Sequence, residues 1–354
     1  MMKKNRITLI IVLILLLAAA GLIFTNSYST LKKNVSDFSV KDTANVTKIF
    51  LADKSNNEVT LTRTASGSWL VDGKYEAQQA KISAFLKTLA DLEVRSPVAI
   101  AARNNVITRM SAIAKKIEIY EIKPRINLFN RLKLFPHEKL TKTYYIGDVT
   151  QDNQGTFMLM EGAEEPYIVH IPGFRGFVAS RYSTLRSDWR DYTVFKTQLN
   201  EIKSLKVEFP MQPEESYNID LADNKQVELR ATLNNQIMPR YDTMRVLGFL
   251  TSFSDVRFES LLQPLLKKEF IDSVLASTPK TIITLTDRKG MRNEVKIFRK
   301  KGFANLYNEN GMTMEPADID RAYALVNNGE DFVLIQYFTF DKVTRTLGYL
   351  LGKE

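Results

Sequence analysis

The same order of hydrophobic patterns occurs twice in this sequence, and that repetition limits the folds open to it. In the first occurrence Lys48 to Ala52, Glu58 to Arg63 and Ser68 to Val71 alternate apolar and polar residues as strands do. Ile82, Phe85, Leu86, Leu89 and Leu92 then recur on one helical face. In the second, Leu205 to Phe209, Tyr217 to Leu221 and Gln226 to Arg230 precede Phe249-Leu250, Phe253 and Val256, which lie 164 residues after Phe85-Leu86, Leu89 and Leu92. Ile107 and Lys116 answer to Ile271 and Lys280 at the same shift, and YIVHIPGF from Tyr167 to VLIQYFTF from Val333 at 166. A shift held across four elements implies an internal duplication, with copies at 45–198 and 199–354; the alternative is two similar units of separate origin. The expected fold class is α+β: two similar lobes of antiparallel sheet, each covered by an amphipathic helix, behind an N-terminal transmembrane helix.

That last element rests on Ile7 to Phe24, ITLIIVLILLLAAAGLIF, whose only polar side chain is Thr8. As a helix it covers about 27 Å, close to the roughly 30 Å of bilayer hydrocarbon, and a helix satisfies its own backbone hydrogen bonds there. Lys3, Lys4 and Arg6 in the flank 1–6 place the N-terminus in the cytoplasm and the bulk outside. A cleaved secretory signal competes, since Ala18, Ala19, Ala20 and Gly21 are small, but Leu22, Ile23 and Phe24 continue the apolar run past them. Residues 25–44 read as a polar tether.

The remaining chain is large enough for two ordinary domains. With 44% hydrophobic and 25% charged residues its composition is that of a globular protein. No cysteine is present, which excludes disulfides, thiolate catalysis and cysteine metal sites. Of the net charge of +9, three belong to Lys3, Lys4 and Arg6, which leaves +6 spread without the concentrated stripe expected for nucleic acid. Anionic headgroups, acidic glycans or an acidic protein fit that excess better, and so does a solvated surface with no partner.

Gly67-Ser68-Trp69-Leu70-Val71, the helix with Phe85-Leu86, Leu89 and Leu92, and the following Val94-Arg95-Ser96-Pro97-Val98 together resemble the family known as domain of unknown function 4340. Ser187-Asp188-Trp189-Arg190 extends the likeness. The resemblance implies a single-pass, membrane-anchored bacterial envelope protein, accessory to ABC-type export or gliding-motility systems. It transfers no catalytic residue.

Nor do the residues themselves supply one. His170 alternates within a strand and His137 falls in LFPHEK, with no H-x-H or HExxH spacing around either. Neither a G-x-S-x-G elbow nor a P-loop occurs, and Glu164-Glu165 and Glu214-Glu215 sit beside prolines as polar turns do. No catalytic, cofactor or metal residue is therefore assigned.

Two clusters are candidates for interaction. Glu121 to Lys142 has only Asp287 to Asn293 opposite it in the second copy and reads as an insertion. Its Leu128, Phe129, Leu132 and Phe135 recur at helical spacing among Arg125, Arg131 and Lys133, which suggests a short basic amphipathic helix lying on anionic lipid or in a partner's groove, or else capping the sheet. Arg181, Arg186, Trp189 and Arg190 lie at the joint between copies. They suggest either a hot spot or an inter-lobe seam, with the arginines paired to Asp188 and Asp191.

The sequence thus points to a non-enzymatic assembly component of an envelope complex, in the bacterial inner membrane with its bulk periplasmic. Its expected partners are the bilayer, through residues 7–24, and envelope proteins, with no nucleic acid. A receptor-like module holding a glycan or lipid between the lobes is the alternative, and a hydrolase the third.

Overall fold

The computed structural model describes residues 12–16, 36–128, 132–222, 226–263, 265–302, 306–307, 313–314 and 317–353. Most of the apolar N-terminal stretch, and with it the expected membrane span, lies outside them. Residues 12–16 are helical, and no helix among the described residues is long and apolar enough to cross a membrane. The chain divides into two compact units, residues 1–189 and 190–354.

In the first unit nine strands form one antiparallel sheet. They are β1 (Val46–Ala52), β2 (Glu58–Arg63), β3 (Trp69–Val71), β4 (Tyr75–Glu76), β5 (Glu93–Pro97), β6 (Lys115–Leu128), β7 (Leu132–Val149), β8 (Thr156–Met160) and β9 (Tyr167–His170). Their order across the sheet is β4-β3-β2-β1-β6-β7-β8-β9-β5. Alternation sends Ile49 and Leu51, Val59 and Leu61, Ile117 and Ile119, Met158 and Val169 to one buried face. A bulge between Val46 and Lys48 changes the parity and returns Val46 to that face.

Helix α1 (Gln79–Asp91) lies on this face and buries Ile82, Phe85, Leu86 and Leu89, the residues whose 3.6-residue spacing marked it in sequence. Each fully buried side chain of this kind contributes about 1.5–3 kcal/mol. The Phe85 ring meets Tyr182 and Trp189, both at centroid distances of 4.9 Å. The stretch read as a tether ends inside this core: Phe38 and Val40 are buried, and the Val40 amide donates to the Leu89 carbonyl at 2.8 Å.

Helix α2 spans Ile100–Ile113. Its Val106 and Met110 pack in a separate small cluster against Tyr145, Phe157, Leu159 and Ile168. Gly147 makes the approach possible, because a Cβ there would lie 2.6 Å from Met110 Cγ.

The second unit contains β10 (Thr193–Phe195), β11 (Ile202–Glu208), β12 (Tyr217–Leu221), β13 (Val227–Ala231), β14 (Val256–Arg257), β15 (Ser260–Leu261), β16 (Thr281–Asp287), β17 (Arg292–Lys301), β18 (Leu306–Tyr307), β19 (Thr313–Met314), β20 (Ala317–Val326) and β21 (Asp331–Gln336). β10 pairs with β14, and β18 with β19. The main sheet has the order β13-β12-β11-β16-β17-β20-β21-β15. Helix α3 (Thr243–Thr251) covers it with Val246, Phe249 and Leu250. Asp242 caps that helix by accepting from the Met244 and Arg245 amides at 3.0 and 3.1 Å. Helix α4 (Lys268–Leu275) sets Phe270 against Tyr323, and α5 (Tyr337–Phe340) and α6 (Leu347–Leu350) close the C-terminal side of the core with Phe340, Leu347 and Leu350.

With β4 set aside, the two main sheets have the same strand order. Their registers agree as well. Ile49 pairs with Leu61 on one side and Ile119 on the other, as Leu205 pairs with Ile219 and Leu285. The bulge recurs between Ile202 and Ser204. One sequence assignment changes: the ladder puts Lys116 opposite Ala52 where the second unit has Ile282 opposite Glu208, so Lys116 answers to Ile282 and not to Lys280. The error is two residues, which preserves strand parity and leaves the hydrophobic pattern unable to detect it.

Candidate functional site

The expected basic helix at Glu121 to Lys142 is instead a β-hairpin arm, an outcome that corrects the reading from residue spacing. β6 pairs with β1 only as far as Glu121, and β7 meets β8 from Tyr144 onward. Between those points the two strands pair with each other, through Ile122↔Glu138, Lys123↔His137, Pro124↔Pro136, Ile126↔Leu134 and Leu128↔Leu132. The equivalent β16 and β17 turn within Arg288 to Met291.

Period two therefore replaces period 3.6 and changes the faces. Ile122, Pro124, Ile126, Leu134 and Pro136 share one face, which Glu138 closes at the base, and Lys123, Arg125, His137 and Lys139 share the other. Phe135 takes a left-handed backbone conformation, φ 54°, and is 65% exposed, beside the exposed Ile126, Leu134 and Leu140. Phe129 and Arg131 lie outside the described residues, as do the side chains of Leu132 and Lys133.

The base of the arm is fixed by charge. Glu138 accepts from Lys48 Nζ at 2.8 Å and Thr47 Oγ1 at 2.7 Å, and the bond from Lys48 leads in holding its carboxyl below the usual range. Buried Glu121 pairs with Lys123 at 2.9 Å. Lys139, opposite Glu121, and Arg125, farther out, form no ion pair among the described residues.

Among the cavities that open in the second unit are two that no motif marks. One, of about 490 Å³, lies between α3 and the edge of the sheet and is lined by Leu199, Leu221, Val227, Val246, Leu247 and Arg288 among others. The other, of about 380 Å³, has a mixed lining, with Phe209, Met211 and Ile297 beside Lys280, Arg299, Tyr337 and Asp341. Desolvation of the Lys280 amine pushes its pKa down, and its Nζ stands 4.4 Å from the Tyr337 ring centre.

The domain of unknown function (DUF4340) family profile matches residues 69–273, more than half of the chain. The chain belongs to that family. The matched span begins at Trp69, takes in the whole hairpin arm, and passes from the first unit into the second. No curated protein and no solved structure matches the chain.

The DUF4340 span also contains the cluster expected at the joint, and the structure distributes its members. Arg181 donates to Thr88 Oγ1 at 2.8 Å and lies over the Phe174 ring. Arg186 pairs with Asp72 at 2.6 Å. Trp189 is fully buried in the first unit, its Nε1 donating to the Ser183 carbonyl at 2.9 Å. Arg190 belongs to the second unit and makes a two-pronged pair with Asp331, at 3.0 and 2.5 Å. The expected pairing to Asp188 and Asp191 is thus replaced. Those carboxylates accept from the neighbouring Ser183 and Thr193 hydroxyls, while the arginines reach partners about a hundred residues or more away in sequence.

Of the polar residues weighed for catalysis, Glu165 and Glu215 have structural partners, and both histidines lie on strands. His137 stands on β7 opposite Lys123, and His170 on β9 opposite Glu93. Glu165 pairs with Arg103 and accepts from Tyr167 Oη at 3.1 Å, and Glu215 accepts from the Gly348 amide at 2.8 Å. Among the described residues no group of His, Asp or Glu is arranged to hold a metal ion.

Proposed function

We propose that this DUF4340 chain is a non-enzymatic, membrane-anchored assembly component of a bacterial envelope complex, accessory to an ABC-type export or gliding-motility system. Its two units descend from one duplicated α+β module. The anchor is the apolar run at 7–24, with Lys3, Lys4 and Arg6 on its cytoplasmic side and the bulk of the chain in the periplasm. The observation that carries the assembly role is the hairpin arm. It leaves the sheet with an apolar and a basic face, and it exposes Ile126, Leu134, Phe135 and Leu140 where the second unit has a tight turn. Exposed apolar side chains gathered on one projecting element are a usual mark of a docking surface.

A photo-crosslinking residue placed at Phe135 in intact membranes tests this. Capture of a discrete set of envelope proteins is the expected result, lost with Leu134→Ser. Capture of lipid alone, or of nothing, overturns the assembly role. A reporter enzyme fused at the C-terminus checks topology separately, and activity confined to the cytosol overturns the anchor.

A further inference from the structure

The cavity beside α3 has a counterpart in the first unit, and there it is filled. β2 and β3 pair Leu61 with Val71 and Arg63 with Trp69; β12 and β13 pair Ile219 with Leu229 and Leu221 with Val227. Leu221 therefore stands where the first unit has Arg63, and Val227 where it has Trp69. In the first unit the indole is 2% exposed beneath α1, and the Arg63 guanidinium lies over it, 5.0 Å from the ring centre. That guanidinium is held by the backbone just ahead of β1, donating to the Thr43 carbonyl at 3.3 Å and also to that of Ala44.

The second unit keeps a guanidinium and has Val227 at the indole's position. Asn200 precedes β11 as Ala44 precedes β1, and its carbonyl accepts from Arg288 Nε at 3.0 Å. The Arg288 terminus also donates to the Ala222 carbonyl at 3.3 Å. A cation supplied from the β16–β17 turn is thus fixed in the corner that Arg63 occupies in the other sheet. Beside it Leu199, Leu221, Val227, Val246 and Leu247 wall a space with an isopropyl group where the first unit places an indole; Tyr241, whose hydroxyl donates to the Val227 carbonyl at 3.1 Å, lines that space without filling it.

We propose that this cavity receives an aromatic side chain of a partner polypeptide, seated against Leu221 and Val227 with its face toward Arg288. An apolar wall supplies burial, and a positioned guanidinium favours a π face over an aliphatic group of similar size. The inference deepens the assembly reading by naming what one partner inserts. It concerns the second unit alone, so its test is separable from the hairpin crosslink.

The test uses the full chain in detergent, with isotope-labelled Leu and Val methyl groups, titrated with N-acetyl-tryptophanamide and with N-acetyl-leucinamide. Expected are saturable ring-current shifts confined to Leu221, Val227, Val246, Leu247 and Leu250, and binding of the indole about threefold tighter than of the leucine probe. Val227→Trp, which supplies the missing ring from the chain itself, abolishes the shifts. Leu247→Glu, on the exposed side of α3, weakens them without touching the core, and stands as the test if Val227→Trp does not fold. Absence of saturable shifts, equal binding of both probes, or full binding by a folded Val227→Trp protein overturns the proposal.

Discussion

Two sheets with one strand order solve the same corner differently. The first unit closes the gap between helix and sheet with its own Trp69 under Arg63, whereas the second holds Arg288 in place and leaves the space open. At the next hairpin the contrast reverses. The second unit turns sharply after Asp287, while the first extends its strands into an exposed arm. Shared topology therefore fixes the ladder and the helix-covered face, and the differences concentrate where strands end. A loop or corner can change without disturbing the alternation that buries Ile49 or Leu205.

The largest effect expected from this contrast is at its centre. Trp69→Ala removes a buried indole and should cost the first unit about 3–5 kcal/mol. Val227→Ala, at the equivalent place, should cost under about 1.5 kcal/mol. Both tryptophans, Trp69 and Trp189, lie in the first unit, so Trp189 emission during urea unfolding reports that unit in the first variant. Methyl signals of Leu229 and Ile219 report the second. Equal losses would break the claim that only one corner is self-filled.

Next is Asp331→Ala, which strands the buried Arg190 guanidinium and should cost the second unit about 3 kcal/mol. The methyl signals of Val333 and Ile335 should show it, with the Trp189 midpoint little moved. A matching fall in both would show that the units unfold together.

A smaller effect separates the units by pH. Asp53 follows β1 and opens the β1–β2 turn in the first unit, where the second has Phe209. Burial raises its carboxyl, but hydrogen bonds from the Thr184 and Asn57 side chains and the Ser55 and Asn57 amides outweigh that and leave the pKa at about 2. Because the folded value lies below the unfolded one, near about 3.9, the stabilisation is complete above that value and disappears as pH falls toward 2. Asp53→Asn should lower the first unit's urea midpoint at pH 7 by the equivalent of about 1 kcal/mol. The gap from the parent protein should close between about pH 4 and pH 2, and a gap independent of pH would remove the assignment. Smallest of all, Phe135→Ser should change stability by under about 0.5 kcal/mol, since the ring is exposed, and thermal unfolding would check that.

Much of the sheet architecture was legible before the structure. Phe85, Leu86 and Leu89 marked α1 by period, and the repeat of that face at Phe249 and Leu250 located α3. The arm was not, because Leu128, Phe129, Leu132 and Phe135 happen to satisfy helical spacing. The competing alternation of Ile122, Pro124 and Ile126 with Lys123 and Arg125 was equally present and is the pattern the backbone follows. The cavity left a trace only in the exchange of Trp69 for Val227, visible once ladder registers align the two copies. Pairs such as Arg190 with Asp331 leave none, since tertiary packing and not local spacing brings them together.

One rung of the arm bears on how such an element stays usable. A long two-stranded ribbon with free outer edges invites other strands to add to it, the first step toward indiscriminate self-association. Pro124 and Pro136 stand at the same height on opposite strands, and neither has an amide hydrogen to offer an incoming chain. The ribbon is thereby interrupted as a template midway along its length, which keeps copies of the protein from zipping together edge to edge.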